Sequence, residues 1–520
     1  RAALATPAAA EPWIDLGFAL FRLGDLDGAE SVLRRAVALR PEQPRAWRCL
    51  GETALARGDE LGLWLGIALA LDPADADLRL RLAHLRQFAC DWTGIERLRE
   101  DVVEPLLARP TLEPNAGFPL LVLPAAISPA EHLILARRAT AGVAVQPRAH
   151  PPGDPHRPLR IGYLSADFQT HATAHLMLGL FGRHDRERVR VHAYSLGADD
   201  GGPYRRRIAA DCDAFVDLAP LSDALAADKI AADRVDILVD LKGTTLGARL
   251  GITARRPAPV QVAWLGYPGS VGVDVLDYVL TDRVVTPPER QADWAERFVL
   301  LPGSYQVNDR DQPIAFDAPD RASAGLPDRG FVFCCFNQLY KVEPLIFGVW
   351  MDILRAVPGS VLWLLAGPPQ AEANLRREAA SRGIEPARLI FAPMLPKDRH
   401  LARLRHAGLF LDTFFCNAHT TASDALWAGV PVLTVPGVHF PARVAASLAH
   451  AVGLPELVLP DHASYRETAI ALATDPARLD DLRARLAVNR LTTPLFDTDA
   501  FARKLETAFE TIWERHCRGL

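Results

Sequence analysis

A period constrains this chain more than any other feature. Trp13, Gly17, Gly24 and Asp25 recur as Trp47, Gly51, Gly58 and Asp59, each displaced by 34 residues. Ala36, Leu39 and Pro41 recur as Ala68, Leu71 and Pro73 with a displacement of 32, so the second unit has lost two residues between its helices. A weaker third copy runs through Asp91-Trp92. Each unit reads as two amphipathic helices. Gly24-Asp25 and Gly58-Asp59 make the turns, and Pro41 and Pro73 end the second helices because proline cannot continue the backbone ladder. One such unit cannot bury its apolar face alone, so units stack into an array that offers a groove or a spacer and no chemistry of its own.

A 34-residue helical pair is the tetratricopeptide repeat. Two copies account for a minor part of 520 residues, and at roughly 150 residues per domain the remainder holds two or three more units. From Pro110 to Pro158 the helical period breaks, with Pro151-Pro152-Gly153-Asp154-Pro155 the sharpest punctuation. Beyond it, β-branched runs alternate with helix-length segments. Leu159 to Ser165, Val189 to Leu196, Asp236 to Leu241, Val260 to Trp264 and Tyr278 to Thr281 form one series. Phe331 to Phe336, Val361 to Ala366, Leu389 to Phe391, Leu409 to Asp412 and Val430 to Val435 form a second. Buried parallel strands have this texture, and two successive Rossmann-like α/β units are the economical reading. The expected division is helical repeats over 1–110, a linker over 111–158, one α/β lobe over 159–318 and another over 319–520.

With 58 Lys and Arg against 63 Asp and Glu the net charge is −5, so no global basic field draws the chain to nucleic acid or anionic lipid. The most apolar stretch, Leu61 to Leu71, is too short to cross about 30 Å of hydrocarbon. The seven cysteines contain no CxxC, which fits reduced thiols in a cytoplasm and neither disulfides nor zinc. The chain opens at Arg1 without Met, as a truncated or processed product does.

In parallel sheets ligands collect outside the carboxyl ends of the strands, so the loops after these runs are where chemistry belongs. The richest runs from Leu411 through Cys416, Asn417, His419, Thr420, Thr421 and Asp424 to Gly429. A strand ends, a polar loop follows, and a helix opens near Thr420. The hydroxyls of Thr420 and Thr421, beside unpaired first-turn amides, suit a diphosphate without a metal. Asp424 would repel that anion unless it turns aside, for instance toward a ribose hydroxyl; the alternative is a capping box of Thr421 with Asp424. Phe336 to Lys341 follows the first strand of the second unit. There Lys341 is a point charge for a diphosphate and Gln338 an orienting amide, or Lys341 is a solvated loop lysine. Lys397 and His400, on the loop after Leu389 to Phe391, read as a base and ribose contact or as an ordinary charged helix start. In the first unit His171 and His175 sit at i and i+4, but the glutamate of a His-Glu-x-x-His zinc helix is missing. They read better as a polar contact or general base, or as a helix cap. Lys242-Gly243-Thr244-Thr245 and Gly266-Tyr267-Pro268-Gly269 are loops where a ligand can approach backbone.

Taken together, Gly162 to Phe168 running into His171 and His175, Trp264 to Gly269, Phe336 to Lys341 and Cys416 to Gly429 resemble the intracellular O-linked N-acetylglucosamine transferase family. That family joins a tetratricopeptide array to a two-lobed GT-B glycosyltransferase, and the resemblance spans nearly the whole chain. It implies an inverting, metal-independent enzyme without a cofactor that moves N-acetylglucosamine from UDP-N-acetylglucosamine to Ser or Thr hydroxyls of polypeptides held along the repeat groove. It implies Lys341 as the essential diphosphate lysine with Gln338 beside it, and Thr420 and Thr421 as helix-start phosphate ligands. Lys397 and His400 are then uridine contacts, His419 packs near uracil and diphosphate, and Asp424 holds the ribose. His171 matches a histidine interpretable as general base or as a sugar and acceptor contact. His175, Thr244, Gly266, Pro268 and Cys416 complete the expected sugar and acceptor pocket. The array is short and the long insertion between lobes of animal members is absent, a bacterial pattern. Relatives use GDP-fucose or UDP-glucose, and a non-catalytic repeat scaffold is the reading from another class.

Overall fold

The computed structural model describes residues 9–57, 62–114, 116–150, 153–154, 158–317 and 319–520. The first repeat is a pair of antiparallel helices, Glu11–Arg22 and Leu26–Leu39. The Asp25 side chain caps the second of them by accepting from the Gly28 amide at 2.9 Å. The next pair is Pro44–Arg57 and Leu63–Leu71. The repeated glycines mark close approach between helices. A Cβ on Gly17 would lie 2.4 Å from Leu33 Cγ, and one on Gly51 2.5 Å from Leu65 Cδ2. Leu39 and Leu71 end their helices ahead of Pro41 and Pro73. The Gly58-Asp59 turn lies outside the described residues, as do Pro151, Pro152 and Pro155.

A further helix, Ala76–Phe88, follows, ahead of Asp91-Trp92. The chain continues through short helical turns into Glu104–Ala108, Gly117–Leu121 and Pro129–Ala139. These pack on one another around Leu80, Val103, Leu106, Leu120 and Leu135, all buried. At the start of Pro129–Ala139, Ser128 and Glu131 form a reciprocal capping box.

Two parallel sheets follow. The first holds β1 (Leu159–Ser165), β2 (Val189–Ser195), β3 (Ala214–Asp217), β4 (Ile237–Asp240), β5 (Val260–Ala263), β6 (Tyr278–Thr281) and β7 (Arg297–Leu300), in the order β3-β2-β1-β4-β5-β6-β7. The second holds β8 (Val332–Cys335), β9 (Val361–Leu365), β10 (Leu389–Ala392), β11 (Leu409–Leu411) and β12 (Val432–Leu433), in the order β10-β9-β8-β11-β12. Every strand expected from the sequence forms. β3 and β7 were not expected; each is four residues long, at a sheet edge, and only half-buried, so neither carries the continuous apolar run of a central strand.

The strand order reverses between β1 and β4 and between β8 and β11, and a crevice outside the strand ends opens at each reversal. The loops after β1, β8, β10 and β11 meet between the lobes. The carboxy-terminal helix Thr498–Cys517 crosses back onto the first lobe. Phe501 stacks on Trp264 at 5.9 Å between ring centroids, and buried Glu506 pairs with buried His184 at 3.0 Å and with Arg188 at 3.1 Å. Among the described residues, no helix is long and apolar enough to cross a membrane.

Candidate active site

Between the lobes lies a cleft of about 950 Å³, large enough for a nucleotide sugar. His171, His175, Gln338, Lys341, Lys397, His400, His419, Thr420, Thr421 and Asp424 all line it. Four expected pocket residues do not. Thr244 Oγ1 would stand 2.6 Å from a Cβ on Gly117, so it faces the helix Gly117–Leu121. Gly266 lets backbone pass backbone, since a Cβ there would sit 1.7 Å from the Leu241 carbonyl oxygen. Pro268 borders a separate cavity of about 50 Å³ with Leu120, His132 and Trp294. Cys416 is buried behind the loop, where desolvation pushes its thiol pKa up.

The cleft's second-lobe wall is built on Asp412, fully buried at the end of β11. One carboxylate oxygen accepts from the amides of Thr413 at 2.8 Å and Ala418 at 2.6 Å, and the other from the Thr434 hydroxyl at 2.7 Å. Burial pushes its pKa up to about 6 against these hydrogen bonds and the nearby Lys341 cation. The loop folded around it delivers His419 to the start of the helix Thr420–Trp427. The amides of Thr420, Thr421 and Ala422 have no backbone acceptor, as the first turn of a helix requires. The capping-box alternative is not formed. Thr421 donates its hydroxyl to Asn337 Oδ1 at 2.5 Å, and Asp424 turns across the crevice to pair with Lys397, both side chains at least nine-tenths buried. The Asp424 charge is thus neutralised beside an anion-attracting helix start rather than opposing it.

From β8, Gln338 and the 3₁₀ turn Leu339–Lys341 project into the same space. Lys341 Nζ donates to the Asn417 carbonyl at 2.7 Å, which holds the ammonium against the loop ahead of Thr420. Asn337 locks the two loops together, donating to Thr413 Oγ1 at 2.8 Å. His400 Nδ1 accepts from Arg403 Nε at 3.0 Å and Nη2 at 2.8 Å. Burial and these cations push its pKa down to about 3, so the neutral ring carries its proton on Nε2. His419 Nε2 donates to the Pro441 carbonyl at 3.1 Å, and burial holds its pKa near about 3.

On the first lobe His171 occupies the cap of the helix Ala172–Met177, and its Nδ1 accepts from the Thr173 amide at 3.2 Å. Burial lowers its pKa, while Asp167 Oδ2, 3.5 Å from the same nitrogen, acts the other way. One turn on, His175 packs on Tyr204 at 4.6 Å between centroids, and burial with Lys397 pushes its pKa down to about 4. Behind them Lys242 Nζ donates to both carboxylate oxygens of Asp167, at 2.9 and 2.8 Å. Among the described residues, no cluster of three or more His, Cys, Asp or Glu side chains is placed to hold a metal ion.

Sequence reasoning missed Asn337, Arg403, Tyr204 and the Asp167–Lys242 pair. Asn337 adjoins Gln338 in the same loop and was the most accessible of them. The others gain their roles from partners on other elements.

The sequence pattern of glycosyl transferase family 41 matches residues 146–318 and 313–505, across both sheets and the whole cleft. The chain belongs to this family. A tetratricopeptide pattern matches residues 10–53. Family 41 relatives include the "Probable UDP-N-acetylglucosamine--peptide N-acetylglucosaminyltransferase SEC" of Arabidopsis thaliana, 38% identical over 463 residues that make 84% of this chain and 47% of the relative. The UDP-N-acetylglucosamine--peptide N-acetylglucosaminyltransferase of Caenorhabditis elegans is 31% identical over 70% of this chain and 41% of its own length. The chain spans less than half the length of these curated relatives. An O-GlcNAc transferase mutant of Thermobaculum terrenum superimposes with a TM-score of 0.81 at 30% identity, covering 98% of both chains. The architecture is therefore a family 41 GT-B pair of lobes behind tetratricopeptide helices.

Proposed function

We propose that the chain is an inverting, metal-independent glycosyltransferase that moves N-acetylglucosamine from UDP-N-acetylglucosamine to Ser or Thr hydroxyls of polypeptides. The observation that carries this reading is the grouping, on one cleft wall, of Lys341, the free amides of the Thr420 helix and the Lys397–Asp424 pair. This wall suits a nucleoside diphosphate as leaving group, with protein cations and amides supplying the charge stabilisation. The names of the family 41 relatives supply the donor and the acceptor class.

In the reaction the acceptor hydroxyl oxygen attacks the anomeric carbon as the bond to the β-phosphate oxygen breaks. The electron pair leaves with UDP, where Lys341 and the helix start meet the growing negative charge, and the hydroxyl's proton passes to solvent water as the new bond forms. Gln338 orients the phosphates, and Asp424 with Lys397 addresses the ribose. His171 lines the first-lobe side of the cleft, where its imidazole addresses the sugar and the acceptor hydroxyl. We assign acceptor handling to the helical repeats over 1–110, joined through 111–158 to the lobe over 159–318 on the sugar and acceptor side and the lobe over 319–520 on the nucleotide side. The thiols of Cys90, Cys334, Cys335 and Cys416, each buried without a disulfide, support a cytoplasmic setting.

The test is transfer itself. With UDP-N-acetylglucosamine and Ser- and Thr-containing polypeptides, the expected product is a β-linked sugar on a hydroxyl, its anomeric configuration inverted from the α-linked donor and read by NMR. No transfer from this donor while GDP-fucose or UDP-glucose, supplied in its place, glycosylates the same polypeptides, or an α-linked product, would overturn the assignment.

A further inference from the structure

The helix Ala76–Phe88 ends against the segment that carries Lys341. A single 3₁₀ turn, Leu339–Lys341, cannot satisfy the carbonyls around it from within. Donors from the helical region do so. Buried Gln87 donates through Nε2 to the Tyr340 carbonyl at 3.3 Å and to the Val122 carbonyl at 2.9 Å. Trp92 Nε1 donates to the Val342 carbonyl at 3.2 Å, and the Cys90 thiol approaches the Leu339 carbonyl at 3.6 Å. The second lobe answers through Asn374 Nδ2, which donates to the Ala89 carbonyl at 2.8 Å. The Tyr340 ring is enclosed by Phe88 at 5.0 Å, His84 at 5.8 Å and Phe118 at 6.1 Å between centroids. Backbone on both sides of Lys341 is thus held from the helical region, while its ammonium turns the other way, to Asn417.

We propose that the end of the helical array, acting through Gln87 and Trp92, positions Lys341, so that the array is part of the donor site as well as a place for acceptors. The inference rests on the reading of Lys341 as the diphosphate cation. An ammonium stabilises a leaving group only from the right place, and a turn released by even an ångström carries its lysine out of that place. Gln87 and Trp92 are positioning residues that touch no substrate. Their substitution therefore acts on UDP through Lys341, whereas ordinary packing would change stability without regard to that side chain.

Calorimetric titration of the full chain with UDP distinguishes these. The proteins are wild type, Lys341→Met, Gln87→Met, Trp92→Phe, and the last two substitutions each combined with Lys341→Met. Gln87→Met keeps volume and Trp92→Phe keeps an aromatic ring, and a cooperative melting transition confirms that each variant is folded. Two independent variants leave the test standing if one of them does not fold. Lys341→Met is expected to weaken UDP about tenfold or more, and Gln87→Met and Trp92→Phe each about three- to tenfold. In the Lys341→Met background neither should weaken it further, because the group they position is gone. Wild-type affinity in both single variants, or the same factor lost in both backgrounds, overturns the proposal alone. Wild-type affinity in Lys341→Met instead overturns the reading of Lys341, and the proposal falls with it.

Discussion

Replacing Lys341 by Met lowers turnover of the nucleotide sugar by roughly a thousandfold or more and leaves the fold intact, as judged by circular dichroism and melting temperature. The expected size follows from the place of the ammonium. It is held at 2.7 Å from the Asn417 carbonyl, immediately ahead of the helix start, where the departing diphosphate gathers charge. Folding survives because the ammonium holds a loop carbonyl at the cleft wall and methionine fills similar volume. The substitution also has an electrostatic trace. Lys341 lowers the pKa of Asp412, so removing it should raise that buried carboxyl beyond about 6. Carbon-13 titration of the carboxylate reads this directly. Full activity in Lys341→Met would end the account of the leaving group given above.

Asp424→Ala has a different signature. The carboxylate and Lys397 pair within the cleft, their side chains 7% and 10% exposed, and truncating one partner leaves a largely desolvated cation alone. Truncation of such a pair costs about 2–5 kcal/mol, here expressed at the nucleoside end of the donor. The Michaelis constant for the donor should rise roughly 30-fold to several-thousand-fold. Turnover at saturation should fall much less, because on the proposed assignment Asp424 serves the ribose in ground and transition states alike. Initial-rate kinetics separate the two constants. An unchanged Michaelis constant with collapsed turnover would move Asp424 from binding to chemistry.

The sequence was most legible where one stretch of chain carries the whole instruction. The 34-residue period shows in the helices because Gly17 and Gly51 each admit a leucine from the partner helix, a demand that returns once per unit. The central strands show because sheets covered on both faces need unbroken apolar runs, whereas β3 and β7, at the edges, have no such need. The Thr420 helix start was likewise visible, since strand, polar loop and threonines stand in order. Pairings between distant residues were not visible. Asp424 meets Lys397, Asp167 meets Lys242, and Gln87 meets Tyr340 only because neighbouring strands and the docking of the helices bring them together. The capping-box alternative for Thr421 and Asp424 was equally consistent with spacing, and only the positions of Asn337 and Lys397 decide against it. Thr244, Gly266, Pro268 and Cys416 show the converse. Each lies in a motif beside the cleft, yet its own atoms serve packing or another cavity.

The central claim is that protein cations and helix amides, without a metal, hold a uridine diphosphate in the cleft between the lobes. Titration calorimetry of the purified chain with UDP and, separately, GDP, each with and without EDTA, tests it most directly. The account predicts tight binding of UDP, weak binding of GDP, and the same UDP affinity whether or not EDTA is present. Preference for GDP, or loss of UDP binding on addition of EDTA, would contradict it.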